Sequence, residues 1–477
     1  MSAISQLNPQ AVWQYFDQLT QIPRPSHYEE AVQQFILDEA KKLGLSAERD
    51  EVGNIVVRKP ATQGKENVPG VILQSHLDMV AQKNQDTQHN FTQDPIKTLI
   101  EGDWVTAQGT TLGADNGIGA AAALAVLASK DISHGPIEAL FTATEETGME
   151  GAKGLKGGWL NGEILLNLDS EELGEICIGC AGGLDGDFSL PLAFQPNTAP
   201  GFALHIRGLK GGHSGIDIIR QRGNAIKILI RLLSTISDKV KISTLEGGNL
   251  RNAIPREADA LFASEEDIQT LRNLIEKEAA LIRHGLPKED RQFVVQIESV
   301  SQPVQIWTQE TQKTVLDILE LCPNGVDRMS VEVPAIVETS SNLAKLTCKG
   351  SILSIHCLLR SSDSSAKNYL ANNISRLFQL AGGSAKLSGN YDGWQPVNDA
   401  EITQIVAKEG EKLLGKKPHI SIIHAGLECG LLNRHYPHWQ MVSFGPTIEM
   451  PHSPDERVNI KSVDIFWQWL KNILETL

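Results

Sequence analysis

The chain of 477 residues lacks a long apolar run, a block of basic residues and a regular spacing of cysteines. No apolar segment approaches the roughly 18 residues that span a bilayer, so we expect no membrane-spanning helix. The N-terminal residues have no basic segment followed by an apolar core, which argues against a secretory signal. The net charge of −15 repels nucleic acid and anionic membranes, and we expect neither as a partner.

The six cysteines indicate a reducing compartment. Only Cys177 and Cys180 lie close together, and one such pair supplies two of the four ligands that a structural zinc site needs. We therefore interpret the cysteines as small packed residues of a cytoplasmic protein. Hydrophobic residues at 41% and charged residues at 21% are typical of a soluble protein with more than one core.

The first part of the chain alternates predicted strands with predicted helices. Ser26 and Glu29 have the spacing of a capping box and predict the start of a helix that Gly44 ends. A glycine loop followed by an alanine-rich segment predicts a second helix over 114–130. Apolar runs predict strands over 54–58, 71–76, 137–144 and 163–169. This order is typical of a largely parallel sheet with helices on both faces.

The middle and the tail of the chain differ from this pattern. Residues 187–390 predict alternating strands, glycine loops and helices, which favours an α+β domain in two parts. The tail, 391–477, returns to helix and strand and carries a candidate ligand, His452, for a site in the first part. We therefore expect 1–186 and 391–477 to form one α/β domain with a mixed, mostly parallel sheet, interrupted by the inserted domain 187–390.

Several carboxylate residues and one histidine lie at the ends of predicted strands in the sequence. Glu145 and Glu146 stand side by side after one strand, and Asp169 ends the next, at the edge where open α/β sheets place their sites. His76 and Asp78 lie two apart at another strand end and so point to one face. A ligating imidazole usually donates its second N–H to a carboxylate, a role that Asp78 could fill.

Two further candidates lie in loops. Asp115 precedes a predicted helix, so it is either an ordinary helix N-cap or a carboxylate whose two oxygens each bind one metal. His452 lies in a loop that prolines stiffen. Each candidate alone has a structural interpretation, but together they predict a site for a pair of divalent metals with one spare base.

These motifs resemble those of the M20 family of dinuclear zinc metallopeptidases. Within that family they are most similar to the bacterial aminoacyl-histidine dipeptidases. The resemblance covers essentially the whole chain and rests on the segments Ile22-Pro-Arg-Pro-Ser26, His76-Leu-Asp78, Gly113-Ala-Asp-Asn116, Glu145-Glu-Thr-Gly148, Gly211-Gly-His-Ser-Gly215, Asn252-Ala-Ile-Pro255 and Gly445 to Glu456. It implies a zinc-peptidase-like catalytic domain interrupted by a lid domain.

The resemblance implies two Zn²⁺ per chain, with Co²⁺ or Mn²⁺ as possible substitutes. His76 and Asp169 would bind one ion. Glu146 and His452 would bind the other. Asp115 would bridge the two ions.

The resemblance also implies catalytic roles. Asp78 would orient His76, and Glu145 would act as general base on a metal-bridged water. His213 would stabilise the oxyanion, although a surface loop histidine is its ordinary interpretation. The family further implies a cis peptide bond between Asp115 and Asn116.

The substrates implied are short unblocked peptides, Xaa-His dipeptides among them. Arg360 of the lid would bind the substrate carboxylate through two hydrogen bonds, with help from Asn252. Glu428 would bind the free amine, or else it is a buried structural carboxylate. We also expect a homodimer that forms through the lid domain.

Three alternatives remain open at this point. An N-acyl-amino-acid deacylase or carboxypeptidase of the same family would act on acylated amino acids rather than free dipeptides. A non-enzymatic scaffold would bind no metal, and a nucleotide-binding protein would use the glycine loop near Asp115 to bind phosphate.

Overall fold

The computed structural model describes residues 2–477, which divide into two compact units. Within the described residues, the first unit comprises 2–179, 394–422 and 427–477, and the second comprises 180–393 with 423–426. The chain therefore leaves the first unit after 179 and returns to it at 394, whereas the sequence predicts these boundaries at 186/187 and 390/391. The short return of 423–426 to the second unit was not predicted.

The first unit is built on a mixed sheet of eight strands. In spatial order these are Ser46–Arg49, Ile55–Lys59, Ile137–Thr142, Val71–His76, Ile164–Asn167, Gln440–Ser443, Glu175–Cys180 and His419–Ile423. The four strands from Ile137–Thr142 to Gln440–Ser443 are parallel, and antiparallel strands flank them. Val71–His76 and Ile137–Thr142 are buried at every residue, as expected of parallel strands covered on both faces.

The helices of the first unit are Gln10–Thr20, Glu30–Leu43, Ala114–Ala128, Glu150–Gly154, Glu401–Leu414, Glu428–Asn433 and Ile460–Thr476. A small second sheet joins Ile448–Glu449, Arg457–Asn459, Trp104–Ala107 and Thr98–Glu101. The helix Ala114–Ala128 is buried along nearly its whole length, because its alanines and glycines let it pack closely on the sheet.

The predicted capping box is wrong. The helix begins at Glu30, and the preceding Glu29 makes no side-chain capping bond. The Ser26 hydroxyl instead donates to Asp78, and the Glu29 carboxylate accepts from the amide and hydroxyl of Thr144. Both side chains therefore have long-range partners in place of the local ones that the spacing suggested.

The second unit is an α+β structure on an antiparallel sheet. Its strands in spatial order are Val294–Val300, Gly201–Arg207, Ala258–Ala263, Lys241–Gly247, Val337–Lys349, Ile352–Ser361, Gly182–Pro191 and Ser384–Tyr391, with Gly325–Met329 beside Val337–Lys349. Its main helices are Ala225–Thr235, Ile268–Gly285, Gln309–Leu321 and Ser364–Leu380. The mixed sheet of the first unit and the inserted α+β unit confirm the predicted fold class. No helix within 2–477 is long and apolar enough to cross a membrane.

Candidate metal centre

The parallel strands of the first unit bring the predicted residues to one edge of the sheet. His76 is the last residue of its strand, and Asp78 follows it. Glu145 and Glu146 come shortly after the neighbouring strand, and Asp169 follows the strand on the other side. Because carboxyl ends of parallel strands meet at one edge, residues far apart in sequence converge there.

Asp115 reaches this edge from the glycine loop at the start of Ala114–Ala128. It is not the N-cap of that helix, because the N-cap is Gly113 with a left-handed φ of 72°. The peptide bond from Asp115 to Asn116 is cis, as the family resemblance implied. The Asn116 amide donates to the Leu168 carbonyl at 2.8 Å and to the carboxylate of Asp169, so the loop is fastened to the Asp169 strand end.

The Asp115 carboxylate joins two groups of side chains. Its Oδ1 lies 3.1 Å from Nε2 of His76, which is also 3.4 Å from Oδ1 of Asp169. Its Oδ2 lies 3.2 Å from Nε2 of His452, which is also 3.0 Å from Oε2 of Glu146. Each group therefore offers one imidazole nitrogen, one carboxylate of its own and one oxygen of a shared carboxylate.

These residues fit a pair of divalent cations. Two ligand atoms bound to one tetrahedral ion at roughly 2.0–2.1 Å lie about 3.3 Å apart, close to the separations in both groups. His76, Asp115 and Glu146 offer atoms that all lie within 4.8 Å of one another. Oε1 of Glu146 is buried without a hydrogen-bond partner among the described residues, which suits a metal ligand.

Electrostatics within the cluster indicate an excess of negative charge. Burial lowers the pKa of the His76 imidazole, but Asp169, Asp115 and Asp78 raise it well above its usual value. Hydrogen bonds with Asp115 and Glu146 raise the pKa of His452 to about 11. Imidazoles that hold protons this tightly mark a place where positive charge is stabilised, as it would be for a bound cation.

Asp78 holds the surrounding structure in place. Nδ1 of His76 lies 3.1 Å from the Asp78 carbonyl and 3.3 Å from its Oδ1, so this nitrogen donates and Nε2 faces the cluster. The Asp78 carboxylate also accepts from the backbone amides of Glu145 at 2.9 Å and Glu146 at 3.1 Å. Although burial opposes it, these bonds and the His76 imidazole lower the pKa of Asp78 to about 2.

Glu145 and Glu146 differ in environment although they are adjacent. Glu146 pairs with His452, whereas Glu145 contributes its backbone amide to Asp78. Burial raises the pKa of Glu145 well above its usual range, and the negative charge of Asp169 adds to the effect. A carboxyl group of raised pKa beside a metal-type cluster is suited to accepting and returning a proton.

Sequence reasoning missed Glu456, which binds the glycine loop. Its carboxylate accepts hydrogen bonds from four successive backbone amides, those of Leu112, Gly113, Ala114 and Asp115, at distances of 2.7, 2.9, 2.7 and 3.2 Å. Burial raises the pKa of Glu456 to about 7, and the four amides oppose that rise. The only sequence signal was its place in the same loop as His452.

Arg24 was also missed. The side chain is 2% exposed and donates to the carbonyls of Leu77 at 2.9 Å, Asp78 at 3.0 Å and Gly113 at 2.6 Å. It therefore ties the His76 strand end to the glycine loop. A buried arginine is rare without such partners, but the sequence gives no sign that this one is buried.

Glu428 is fully buried beneath the sheet edge. Its Oε2 accepts from Gln74 and from Thr142, both at 2.6 Å, and burial raises its pKa to about 8. At 0% exposure it does not face solvent. This position favours the second interpretation, a structural carboxylate, over a group that binds a substrate amine.

Three of the predicted catalytic and substrate-binding residues, His213, Asn252 and Arg360, lie in the second unit. The short strands Gly212–His213 and Ala253–Ile254 pair, and the Ser214 amide donates to the carbonyl of Asn252 at 2.8 Å. His213 and Asn252 are thereby neighbours, and the Asn252 side chain is exposed.

The tautomer of His213 follows from its contacts. Its Nδ1 accepts from the amides of Gly215 at 3.2 Å and Ile216 at 3.1 Å, so Nε2 carries the proton. Burial and the charge of Arg360 lower the pKa of His213. The side chain is therefore a neutral imidazole with one N–H donor.

Arg360 lies in a polar group of the same unit. It donates to the Tyr391 hydroxyl at 3.2 Å and to the Ser214 hydroxyl at 3.5 Å. His424, which sequence reasoning did not select, belongs to this group, because the charge of Arg360 acts on it. The His424 carbonyl packs so closely on Gly215 that a side chain there would collide with it.

The sequence is similar to known peptidases over most of its length. The sequence matches a model of the peptidase family M20/M25/M40 over residues 72–476. The cytosol non-specific dipeptidase of Escherichia coli (strain K12) is 46% identical over 482 residues, which cover 100% of this chain and 99% of that protein.

The chain is also similar to solved structures of peptidases. The aminoacylhistidine dipeptidase from Vibrio alginolyticus has a TM-score of 0.95 and 46% identity, covering 100% of this chain and 98% of that one. The aminopeptidase PepT from Bacillus cereus has a TM-score of 0.58 and 17% identity, covering 98% of each chain. At that identity the second likeness is one of fold alone.

Proposed function

The chain belongs to peptidase family M20/M25/M40, and we propose that it is a cytoplasmic, metal-dependent dipeptidase that hydrolyses short unblocked peptides, Xaa-His dipeptides among them. Both full-length relatives at 46% identity are named as dipeptidases. The relative from Escherichia coli is named a cytosol non-specific dipeptidase, and the one from Vibrio alginolyticus is named an aminoacylhistidine dipeptidase. The observation that carries the proposal is the Asp115 carboxylate, whose two oxygens face two separate imidazole–carboxylate pairs.

We propose that the cluster holds two Zn²⁺, with Co²⁺ or Mn²⁺ as possible substitutes. His76 and Asp169 would hold one ion, Glu146 and His452 the other, and Asp115 both. When bound, such ions supply positive charge that acidifies water and polarises the scissile carbonyl.

The surrounding residues then have distinct tasks. Glu145 takes the proton from the attacking water and returns it to the leaving amine, for which its raised pKa is suited. Asp78 fixes the His76 ring through Nδ1 and holds the backbone of Glu145 and Glu146 at the same time. A single buried carboxylate thus sets the positions of one ligand, the base and the second ligand.

In the second unit we propose that Arg360 and Asn252 bind the substrate carboxylate and that His213 donates its Nε2–H to the developing oxyanion. The support is the neutral tautomer of His213 and the buried guanidinium of Arg360. We further propose a homodimer formed through this unit, which light scattering of the purified protein would test.

The test of function is hydrolysis of a panel of dipeptides by the purified protein. We expect cleavage of Ala-His, β-alanyl-histidine and Leu-Gly, loss of activity with a chelator, and recovery when Zn²⁺ is added. N-acetyl-Ala-His and N-acetyl-alanine are matched controls, because they lack the free amine.

Two results would contradict the proposal. Hydrolysis of N-acetyl-amino acids without hydrolysis of free dipeptides would indicate a deacylase. A protein that binds no divalent metal in calorimetry and cleaves nothing in the panel would be a scaffold.

A further inference from the structure

The first unit has a cleft of about 430 Å³ beside the candidate metal cluster. Its size lies within the roughly 300–1,000 Å³ of small-molecule pockets. Its lining includes Tyr28, Met79, Val80, Phe91, Glu146 and Thr147. The first four of these are apolar or aromatic, and Glu146 is a proposed metal ligand.

Hydrogen bonds and ring packing hold the walls of this cleft in place. The Met79 amide donates to the Arg24 carbonyl at 3.1 Å, and the Thr111 hydroxyl donates to the Val80 carbonyl at 2.7 Å. The Phe91 ring packs edge-on against His89 with the ring centres 4.5 Å apart. The cleft is therefore a preformed feature of this unit.

We propose that this cleft binds the side chain of the amino-terminal residue of the dipeptide and selects aromatic and large aliphatic side chains. The inference rests on the proposed dipeptidase function, because it places the scissile carbonyl at the cluster. The amino-terminal side chain branches from the atom next to the carbonyl carbon, whereas the carboxy-terminal side chain branches beyond the peptide nitrogen. A pocket that shares Glu146 with the cluster is therefore nearest to the amino-terminal side chain.

The lining sets the chemical class of that side chain. Apolar walls favour side chains that lose water on binding, and aromatic rings bury the most area. The part of the lining that lies within the described chain contains no lysine or arginine, and it includes the carboxylate residue Glu146. An acidic amino-terminal side chain would therefore lose water in the cleft without gaining a lysine or arginine partner from its lining, and we expect Asp-His and Glu-His to be poor substrates.

The experiment compares two substrate series. One varies the amino-terminal residue as Gly-His, Ala-His, Leu-His, Phe-His and Asp-His, and the other varies the carboxy-terminal residue as Ala-Gly, Ala-Leu and Ala-Phe. We expect kcat/KM to rise by tenfold or more from Gly-His to Leu-His and Phe-His, with Asp-His lowest. Val80→Phe narrows the cleft and should remove that rise, so that kcat/KM for Leu-His and Phe-His falls to about that for Gly-His, while the kcat/KM ratios within the carboxy-terminal series stay the same.

Control variants distinguish an effect on the cleft from a general effect of the substitution. Val397→Phe makes the same change at an exposed valine of the same unit and should alter neither series. Phe91→Ala is a second variant, which should lower kcat/KM for Phe-His more than for Gly-His. Calorimetric binding of free leucine should be tighter than that of glycine in the wild type and weakened by Val80→Phe.

The outcomes separate this inference from the proposed function. Dipeptide hydrolysis with no rise along the amino-terminal series overturns the cleft assignment alone. So does a loss in Val80→Phe that affects the carboxy-terminal series instead. A wild-type protein that cleaves none of these dipeptides overturns both.

Discussion

Glu456 accepts a hydrogen bond from the backbone amide of Asp115 at 3.2 Å, and it accepts three more from the residues just before Asp115. Glu456 belongs to the loop that carries His452. One buried carboxylate thus fastens the loop of a proposed terminal ligand to the loop of the proposed bridging ligand. This link fixes the two loops, and therefore the two ligands, relative to each other. Groups that orient metal ligands in this way contribute to metal affinity.

We expect Glu456→Gln to weaken metal binding by about 10–100-fold. An amide group has one acceptor oxygen, and its NH₂ would face backbone donors, so the glycine loop would lose two of its four bonds. Calorimetric titration of the metal-free protein with Zn²⁺ or Co²⁺ measures the affinity directly.

Glu449→Gln is the matched control, because Glu449 lies in the strand that pairs with Arg457, the residue after Glu456, and its carboxylate pairs with the Arg457 side chain at the surface. It should leave metal affinity unchanged. If Glu456→Gln lowers the thermal stability of the metal-free protein while metal affinity stays within twofold, Glu456 has a structural role only.

Glu145→Gln and Glu146→Gln should have opposite signatures although the residues are adjacent. Glu145→Gln should lower kcat by about 10²–10⁴-fold with the metal content unchanged, because the proton-transfer group is lost. Glu146→Gln should lower metal affinity first, because Glu146 pairs with His452 and has a buried oxygen without a partner in the described chain. Metal analysis after dialysis, together with kcat, separates the two, and equal metal loss in both variants would contradict the assignment.

Strand ends explain why much of the cluster could be predicted. His76, Glu145 and Asp169 each follow a short apolar run, and parallel strands bring their carboxyl ends together. The order of strands and helices was likewise enough for the fold class. These features can be predicted because they depend on residues that are close together in the sequence.

Long-range bonds explain what could not be predicted. Ser26 and Glu29 have capping-box spacing, but their side chains form hydrogen bonds with distant residues instead. The Ser26 hydroxyl donates to Asp78, and the Glu29 carboxylate accepts from Thr144. Glu456 and Arg24 bond to backbone groups, and no residue pattern shows which amides or carbonyls face a given side chain. Polar groups whose partners are distant backbone atoms are therefore the ones that sequence reasoning missed.

Arg360→Met should raise KM for dipeptides with a free carboxylate. A charge-assisted hydrogen bond contributes about 1.5–3 kcal/mol, so we expect a loss of ten- to hundredfold in kcat/KM. Dipeptide amides, which lack the carboxylate, should lose much less. Steady-state kinetics on Ala-His and its amide, with exposed Arg376→Met as control, tests this, and equal losses on both substrates would contradict it.

His424 should make the protein less stable in acid. It is 7% exposed, with Nε2 at 2.7 Å from the Ser340 hydroxyl. Burial, and then the charge of Arg360, lower its pKa to about 3. The unfolded chain takes up this proton near pH 6.5, so between about 6.5 and 3 the unfolded state binds more protons than the folded state. The free energy of unfolding therefore falls as the pH drops through that window.

At pH 5 this single group should cost about 2 kcal/mol relative to neutral pH. His424→Gln removes the group, so the stability difference between wild type and variant should shrink by that amount from pH 7.5 to pH 5. Urea unfolding at both pH values measures the change, and the subtraction cancels the titration of the metal cluster, which both proteins share. A difference for His424→Gln that stays the same at both pH values would contradict the prediction, because it would mean that His424 titrates in the folded protein as it does in the unfolded chain.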